Sequence, residues 1–543
     1  MKELEFKTKP LAHQLEVYNK FKDANILAFN ADMGVGKTKC VIDIVSYKFI
    51  NNIVDSFVII TINGVHDQWV SEQIPEHCPV ATICHVTTAS KTLTSVRNED
   101  SFFFNCMDTK RLKVLAINIE AFRTLRGLDL VDRLAKASKY GIAIAIDEAS
   151  IIKNPDIITV RNVKKLRDSY PKLNYFRVTM TGTPAAKGAI NLWSIYDFLQ
   201  RNYMGCSYVA FKHIYTIMYK VKFQKAGQLV EKDQALDRDT FNTIKEAIAK
   251  KTIDGCISEE DILKVRQRFG LSANNFAIIN ASQHYVKHRN LDRLAKKIAP
   301  VTYAIHKTDC VDLPPKIRQK VVFELNPTQK KLIKELITYA MTVYKGEALT
   351  IDLQIMLRLR ILQICGGFFS YVTDIEGQYG SKPIDGVNAK LEYIKSDAIE
   401  IGDQQAIVWA VYTNEIDLLC KELCKETEVS RLDGTVVGDD RIKNIADFKN
   451  GNTQFLVSCP AVGGYGFNFQ QALLHYFYSR DFRTEQRIQA EDRSYRIGVK
   501  GSVTYKDLLY NIPVEFDVYN VVRGEAEFNS LFVQKGLKEL LGK

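Results

Sequence analysis

The chain has 543 residues, 46% hydrophobic and 25% charged, the balance of an ordinary globular protein with room for three or four compact units. It has no apolar run long enough to span a bilayer, and its charged start, "MKELEFKTKPLAHQ", is not a signal peptide. It is therefore expected in a cytoplasm, prokaryotic or that of a virus-infected host. A formal charge of +11 favours an anionic partner, nucleic acid first, and eleven scattered cysteines suit a reducing compartment.

Taken in chain order, short apolar runs recur at 25–30 (NILAFN), 56–62 (SFVIITI), 114–118 (VLAIN), 141–147 (GIAIAID) and 176–182 (FRVTMTG). Helical-period segments such as 39–50 (KCVIDIVSYKFI) lie between most of them, which predicts a parallel, doubly wound sheet. From about 203 the pattern turns to basic, helical-looking stretches, FNTIKEAIAKK (241–251) and LDRLAKKIA (291–299) among them. "DLPPK" (312–316) marks a boundary, since consecutive prolines stop helices. The alternation returns at 405–412, 453–459, 473–479 and 502–510. The expectation is an α/β protein: one parallel-sheet lobe over 1–202, a helical basic insertion over 203–311, and a second lobe over 312–543.

"NADMGVGKTK" (30–39) follows the first strand and opens a helix. In such a loop Met33, Gly34, Val35 and Gly36 present backbone amides to phosphate oxygens, with the positive end of the helix behind them. Lys37 would reach the β- and γ-phosphates of ATP, and the Thr38 hydroxyl would bind Mg²⁺. "IAIAIDEAS" (142–150) then carries Asp147 and Glu148 to a strand's carboxyl end, one carboxylate for Mg²⁺ and one to activate water. In "QAEDRSYRIG" (489–498) Arg493 and Arg496 lie three positions apart in a stretch read as helical, hence on one face. They are candidate arginine fingers, supplied by the second lobe to the charge that builds on the γ-phosphate. Gln489, one turn earlier, is expected to face the same cleft.

His77, Cys78, Cys84 and His85 in "HCPVATICH", Cys420 with Cys424, and His284 with His288 lack the paired spacing of a zinc site. They are read as packing residues, and no structural metal is expected. Trp69 and Trp193 are likewise read as packing residues rather than base-stacking platforms.

"TGTPAAKGAINLWSIYDFL" (181–199) resembles the third motif of Swi/Snf-type ATPases of helicase superfamily 2, and other segments resemble the family's motifs in the same order. These are "LAHQ" (11–14), "ADMGVGKT" (31–38), "DEASIIKN" (147–154), "RLDGTV" (431–436), "GGYGFNFQQA" (463–472) and "QAEDRSYRIG" (489–498). Ala31 stands where the phosphate-loop pattern has its first glycine, and Ser150 where the family commonly has histidine. The resemblance implies two RecA-like lobes, adenine read by Gln14, and a motor that follows the minor groove of duplex DNA without separating its strands. Amides and hydroxyls near Asn118, Thr181 and Thr183 are candidates for backbone contacts.

The function expected from the sequence is an ATP-dependent translocase on double-stranded DNA, without sequence preference. The alternatives are a strand-separating DNA or RNA helicase, and a nucleotide-gated DNA-binding regulator that hardly hydrolyses. A monomer is expected, with residues 203–300 a candidate surface for a protein partner.

Overall fold

The structure is a computed structural model describing residues 1–62, 65–87, 93–107, 110–170, 174–182, 189–217, 220–225, 228–233, 278–282, 287–288, 290–310, 313–343, 351–372, 379–464 and 467–523. Two compact units emerge, Met1–Met218 with Tyr285–Leu313, and Tyr219–His284 with Pro314–Lys543. The third crossing, between Leu313 and Pro314, falls at the start of the Pro-Pro pair, where the chain is stiff and extended.

In the first unit seven strands form one sheet: β1 (Ile26–Ala31), β2 (Ser56–Thr61), β3 (Thr82–Val86), β4 (Leu112–Asn118), β5 (Gly141–Asp147), β6 (Asn174–Thr181) and β7 (Thr302–Ile305). Their order is β7-β1-β6-β5-β2-β4-β3, and every pairing is parallel. Strands β2 and β4 are buried along their whole length, as β-branched runs covered on both faces must be. Separate apolar clusters fill the two faces, one around Val58, Ile144 and Leu134, the other around Phe29, Ile59 and Val41.

The second unit repeats the plan with β8 (Ile317–Phe323), β9 (Ala406–Trp409), β10 (Val429–Leu432), β11 (Phe455–Ser458), β12 (Leu474–Phe477) and β13 (Thr504–Tyr510). The order is β8-β13-β12-β9-β11-β10, again all parallel. The α/β class with two parallel sheets is thus as expected. No described helix is long and apolar enough to cross a membrane.

Three differences from the sequence reading stand out. Strand β3 overlaps the end of "HCPVATICH", where its half-exposed edge position gives no continuous apolar run. Strand β7 belongs to the first unit's sheet although it lies within 203–311, because Ala28–Ala31 pair in parallel with Thr302–Ile305. The described part of that span is also not uniformly helical: Lys220–Lys225 and Gln228–Asp233 form an antiparallel pair, joined by Ile278–Ser282. LDRLAKKIA does form a helix, Leu291–Ile298. FNTIKEAIAKK (241–251) and His284 lie outside the described residues.

Candidate nucleotide site and the arginine turn

Strand β6 sits between β1 and β5. The carboxyl ends of these three neighbours therefore bring together the 32–36 loop, the Asp147-Glu148 pair and Thr181. In open parallel sheets this edge is where ligands collect.

The loop turns through two left-handed glycines, Gly34 at φ 79° and Gly36 at φ 81°, before helix α2 (Lys37–Ile50) begins. At Gly36 a side chain is excluded twice over, since a Cβ there would also lie 2.2 Å from the Gln14 amide nitrogen. Gln14, on helix α1 (Ala12–Phe21), accepts the Leu11 N–H on Oε1 at 2.9 Å and donates from Nε2 to the Val35 carbonyl at 3.3 Å. His13, which the sequence did not single out, also bonds that carbonyl, at 2.9 Å through Nε2. Gln14 is thus clamped onto the phosphate loop. The Val35 side chain is core, leaving only its backbone to face a ligand. Met33 and Thr38 are half-buried, and the Met33 Cγ packs 3.5 Å from where a side chain on Gly182 would begin.

Lys37 reaches back across the loop, donating from Nζ to the carbonyls of Ala31 (2.6 Å) and Asp32 (3.0 Å). Asp32 ties the loop to the segment after β7: its Oδ2 accepts the Lys307 N–H at 2.9 Å and its own N–H donates to Ile305 at 3.3 Å.

Glu148 occupies the left-handed region (φ 62°, ψ 70°), a strained conformation for a non-glycine residue and one that clusters at functional sites. Burial pushes its carboxyl pKa up, opposed by the nearby Lys37 charge and by hydrogen bonds with Thr181 and Ser150. The Thr181 hydroxyl donates to Oε1 at 2.9 Å, so the third-motif threonine is spent on the second-motif glutamate. Ser150, standing where the family has histidine, joins the same carboxylate. Asp147 Oδ2 accepts the Trp69 indole N–H at 2.9 Å, a contact the sequence gave no signal for. Asn118 uses its Oδ1 to cap Glu120 N at 3.0 Å, and Thr183 lies outside the described residues. Trp193 is indeed a packing residue, its N–H on the Cys206 carbonyl at 3.0 Å.

In the second unit the helix carrying the sixth motif runs Thr484–Glu491 and stops. Arg493 and Arg496 lie beyond its end, in turns, so the expectation that they share a helical face is corrected. The reason is tertiary. Arg493 is 6% exposed, with Nε on the Gln489 carbonyl (2.9 Å) and one terminal nitrogen on the Phe467 carbonyl (3.2 Å). Its own carbonyl accepts the Phe469 N–H at 3.0 Å. These bonds replace the helical ladder with an attachment to the fifth-motif loop. Arg496 is half-buried. Gln489 is buried, packed beside Gly464, and its Oε1 has no hydrogen-bond partner.

A buried charge network holds this turn from below. Arg487 bonds Glu491 (3.0 Å) and both oxygens of Asp507 (2.6 and 2.9 Å), with its guanidinium 3.2 Å from the centre of the Phe477 ring. Lys316 and Arg318 add 3.1 and 2.8 Å contacts to Glu491. Despite its burial, these charges hold the Glu491 carboxyl down at about 2. Beside them runs a neutral chain: Trp409 donates to His475 Nδ1 (2.9 Å), His475 Nε2 bonds the Ser494 hydroxyl (2.9 Å), and Ser494 donates to the Phe469 carbonyl (2.7 Å). Burial pushes the His475 pKa down to about 3, which keeps the ring neutral.

A glycine-hinged phosphate loop and a strained Asp-Glu pair on one sheet edge, with an arginine turn in a second parallel-sheet unit, define a helicase-like nucleoside-triphosphatase core. The SNF2-related domain family matches residues 8–365, more than half of the chain, and the helicase conserved C-terminal domain matches residues 389–498. The chain belongs to the SNF2-related family. Among curated relatives, the ATP-dependent helicase fft3 of Schizosaccharomyces pombe is 25% identical over 89% of this chain and 52% of its own length. The TATA-binding protein-associated factor mot1 of Aspergillus fumigatus is 22% identical over 72% of this chain and 20% of its own. The ATP-dependent helicase/translocase YwqA of Bacillus subtilis, itself named as putative, is 21% identical over 77% and 38%. The chain thus spans between a fifth and about half of the length of these relatives. A solved SWI2/SNF2 ATPase core of Sulfolobus solfataricus in complex with double-stranded DNA is 20% identical, covering 99% of this chain and 96% of that one, at a TM-score of 0.37.

Proposed function

We propose that this chain hydrolyses ATP with Mg²⁺ and uses the cycle to move along double-stranded DNA without sequence preference. The observation that carries the reading is the convergence at the β1-β6-β5 edge of a phosphate loop, a Thr181-anchored Glu148 and Asp147. Thr38 and Asp147 offer hydroxyl and carboxylate oxygens, the hard donor set Mg²⁺ requires. Bound there with the nucleotide, Mg²⁺ would neutralise charge on the β- and γ-phosphate oxygens.

The chain's own residues do the rest. Lys37 exchanges the Ala31 and Asp32 carbonyls for phosphate oxygens. Glu148, its pKa raised by burial, accepts the proton of the attacking water. Arg493 and Arg496 meet the charge developing on the γ-phosphate, so that hydrolysis depends on the second unit. Gln14 reads the adenine edge while fixed to the loop it serves, and Gln489 is assigned to the same nucleotide. The basic surplus neutralises backbone phosphates, which gives sequence-independent, salt-sensitive affinity.

Steady-state ATPase rates measured with duplex DNA, single-stranded DNA and RNA at one low salt concentration test this reading. Duplex DNA is expected to stimulate turnover strongly, and Lys37→Ala to abolish it while DNA binding persists. Stimulation by single strands or RNA alone would replace the reading with a strand-separating helicase, and no hydrolysis at all with a nucleotide-gated regulator.

A further inference from the structure

We infer that His475 and Ser494 are positioning residues for Arg493: a one-way hydrogen-bond chain from Trp409 through both fixes the backbone from which the guanidinium is presented. The inference rests on the arginine-finger reading above and adds to it two residues to which the motif resemblance gives no role.

The chain begins on strand β9, where Trp409 is fully buried. An indole nitrogen can only donate, so His475 Nδ1, 2.9 Å away, has to accept. The ring's one hydrogen therefore sits on Nε2. Burial, which pushes the ring's pKa down to about 3, keeps a second from joining it. Nε2 then donates to the Ser494 hydroxyl at 2.9 Å, and the hydroxyl gives its own hydrogen to the Phe469 carbonyl at 2.7 Å. Each group has one assigned role, and the tryptophan sets the direction of the whole chain.

It ends where Arg493 is anchored. The Phe469 N–H donates to the Arg493 carbonyl at 3.0 Å and the Phe469 carbonyl accepts from Ser494, so both its backbone groups grip consecutive residues of the turn. Two residues earlier, the Phe467 carbonyl takes the guanidinium itself at 3.2 Å. One residue later, the Gln470 amide donates to the Ile497 carbonyl. The helix stops at Glu491, so chiefly these contacts order the turn beyond it. His475 also packs against the rings of Trp409 and Tyr505, with centres 6.1 and 5.0 Å away. For that packing alone an aliphatic or phenyl side chain would serve, but neither could donate to Ser494. The precision matters because misplacing a reacting group by about 1 Å can cost on the order of a hundredfold in rate.

The test is Ser494→Ala in the full chain, which removes the hydroxyl and little volume. The kcat for ATP is expected to fall about tenfold with KM unchanged. In an Arg493→Ala background no guanidinium is left to aim, so the same substitution should change the residual single-turnover rate by less than about twofold. A merely structural role would lower the rate by the same factor in both backgrounds. That outcome, or an unchanged kcat in Ser494→Ala, overturns the inference. If Ser494→Ala does not fold, ¹⁵N–¹H correlation of the wild-type histidine rings decides. His475 should carry hydrogen on Nε2 and none on Nδ1, both in the free protein and with ADP and aluminium fluoride bound as a mimic of the phosphoryl group in transfer. A hydrogen on Nδ1, or a tautomer that switches on binding, overturns the inference. Unchanged turnover in Arg493→Ala alone would instead fell the finger reading, and these two roles with it.

Discussion

The two units carry their functional residues in opposite ways. At the β1-β6-β5 edge of the first unit the groups are few and held under tension: two left-handed glycines, a left-handed glutamate, and a lysine lying on carbonyls of its own loop. In the second unit Arg493 sits on a turn surrounded by bonded neighbours, above a network of Arg487, Glu491, Asp507, Lys316 and Arg318. On the proposed reading, the first site exchanges partners when a ligand arrives. The second would hold a charge in place, since a preorganised cation costs no rearrangement at the moment of reaction.

The sharpest way to break this contrast is Arg493→Ala. ATP binding should persist and hydrolysis fall about a thousandfold or more, the usual worth of an arginine finger, as read by nucleotide binding alongside phosphate release. Unchanged turnover would remove the second unit from the chemistry.

Next comes Glu148→Gln, which keeps the shape and loses the base. Turnover should drop about a hundredfold or more, and the variant should accumulate bound ATP in a filter-binding assay. Loss of ATP binding instead would mean that the strained glutamate shapes the loop rather than activating water.

The smallest expected effect sharpens the comparison from below. Asp507→Asn removes the shared partner of Arg480 and Arg487, which keep Glu515 and Glu491 respectively. Leaving buried charge undercompensated should cost about 3 kcal/mol of stability in urea unfolding, while ATP binding in the first unit stays intact. No change in stability would mean that the turn does not lean on the network. The network also has a pH window. Since Glu491 is held down at about 2, its contribution is present above the ordinary glutamate range and is lost as pH falls from about 5 toward about 2.

The sequence is most readable where chemistry is local. Gly-x-Gly-Lys-Thr after an apolar run dictates a phosphate loop whatever surrounds it, since only glycine takes φ near +80° without strain and only a helix start follows naturally. The same holds for Asp-Glu at the end of a buried strand, and for the nine strands that continuous or near-continuous apolar runs marked out. Edge strands were harder: β3 and β8 are half-exposed or exposed along much of their length, so they leave no such run. Strand β7 hid within the span read as a helical insertion.

Sequence alone therefore determined the class of fold and the order of the motifs, and it nominated the candidate reacting groups, because each rests on residues within one loop or one strand. Tertiary structure decided what those groups lean on. The sixth-motif helix ends at Glu491 because Arg493 bonds a loop 26 residues earlier in the chain. Gln14 is pinned to a glycine 22 positions away by the space that glycine leaves open. A tryptophan read as packing turns its one donor toward Asp147 across 78 residues. Such contacts have no period or spacing in the chain, since what sets them is the distance between strand ends after the sheet has formed.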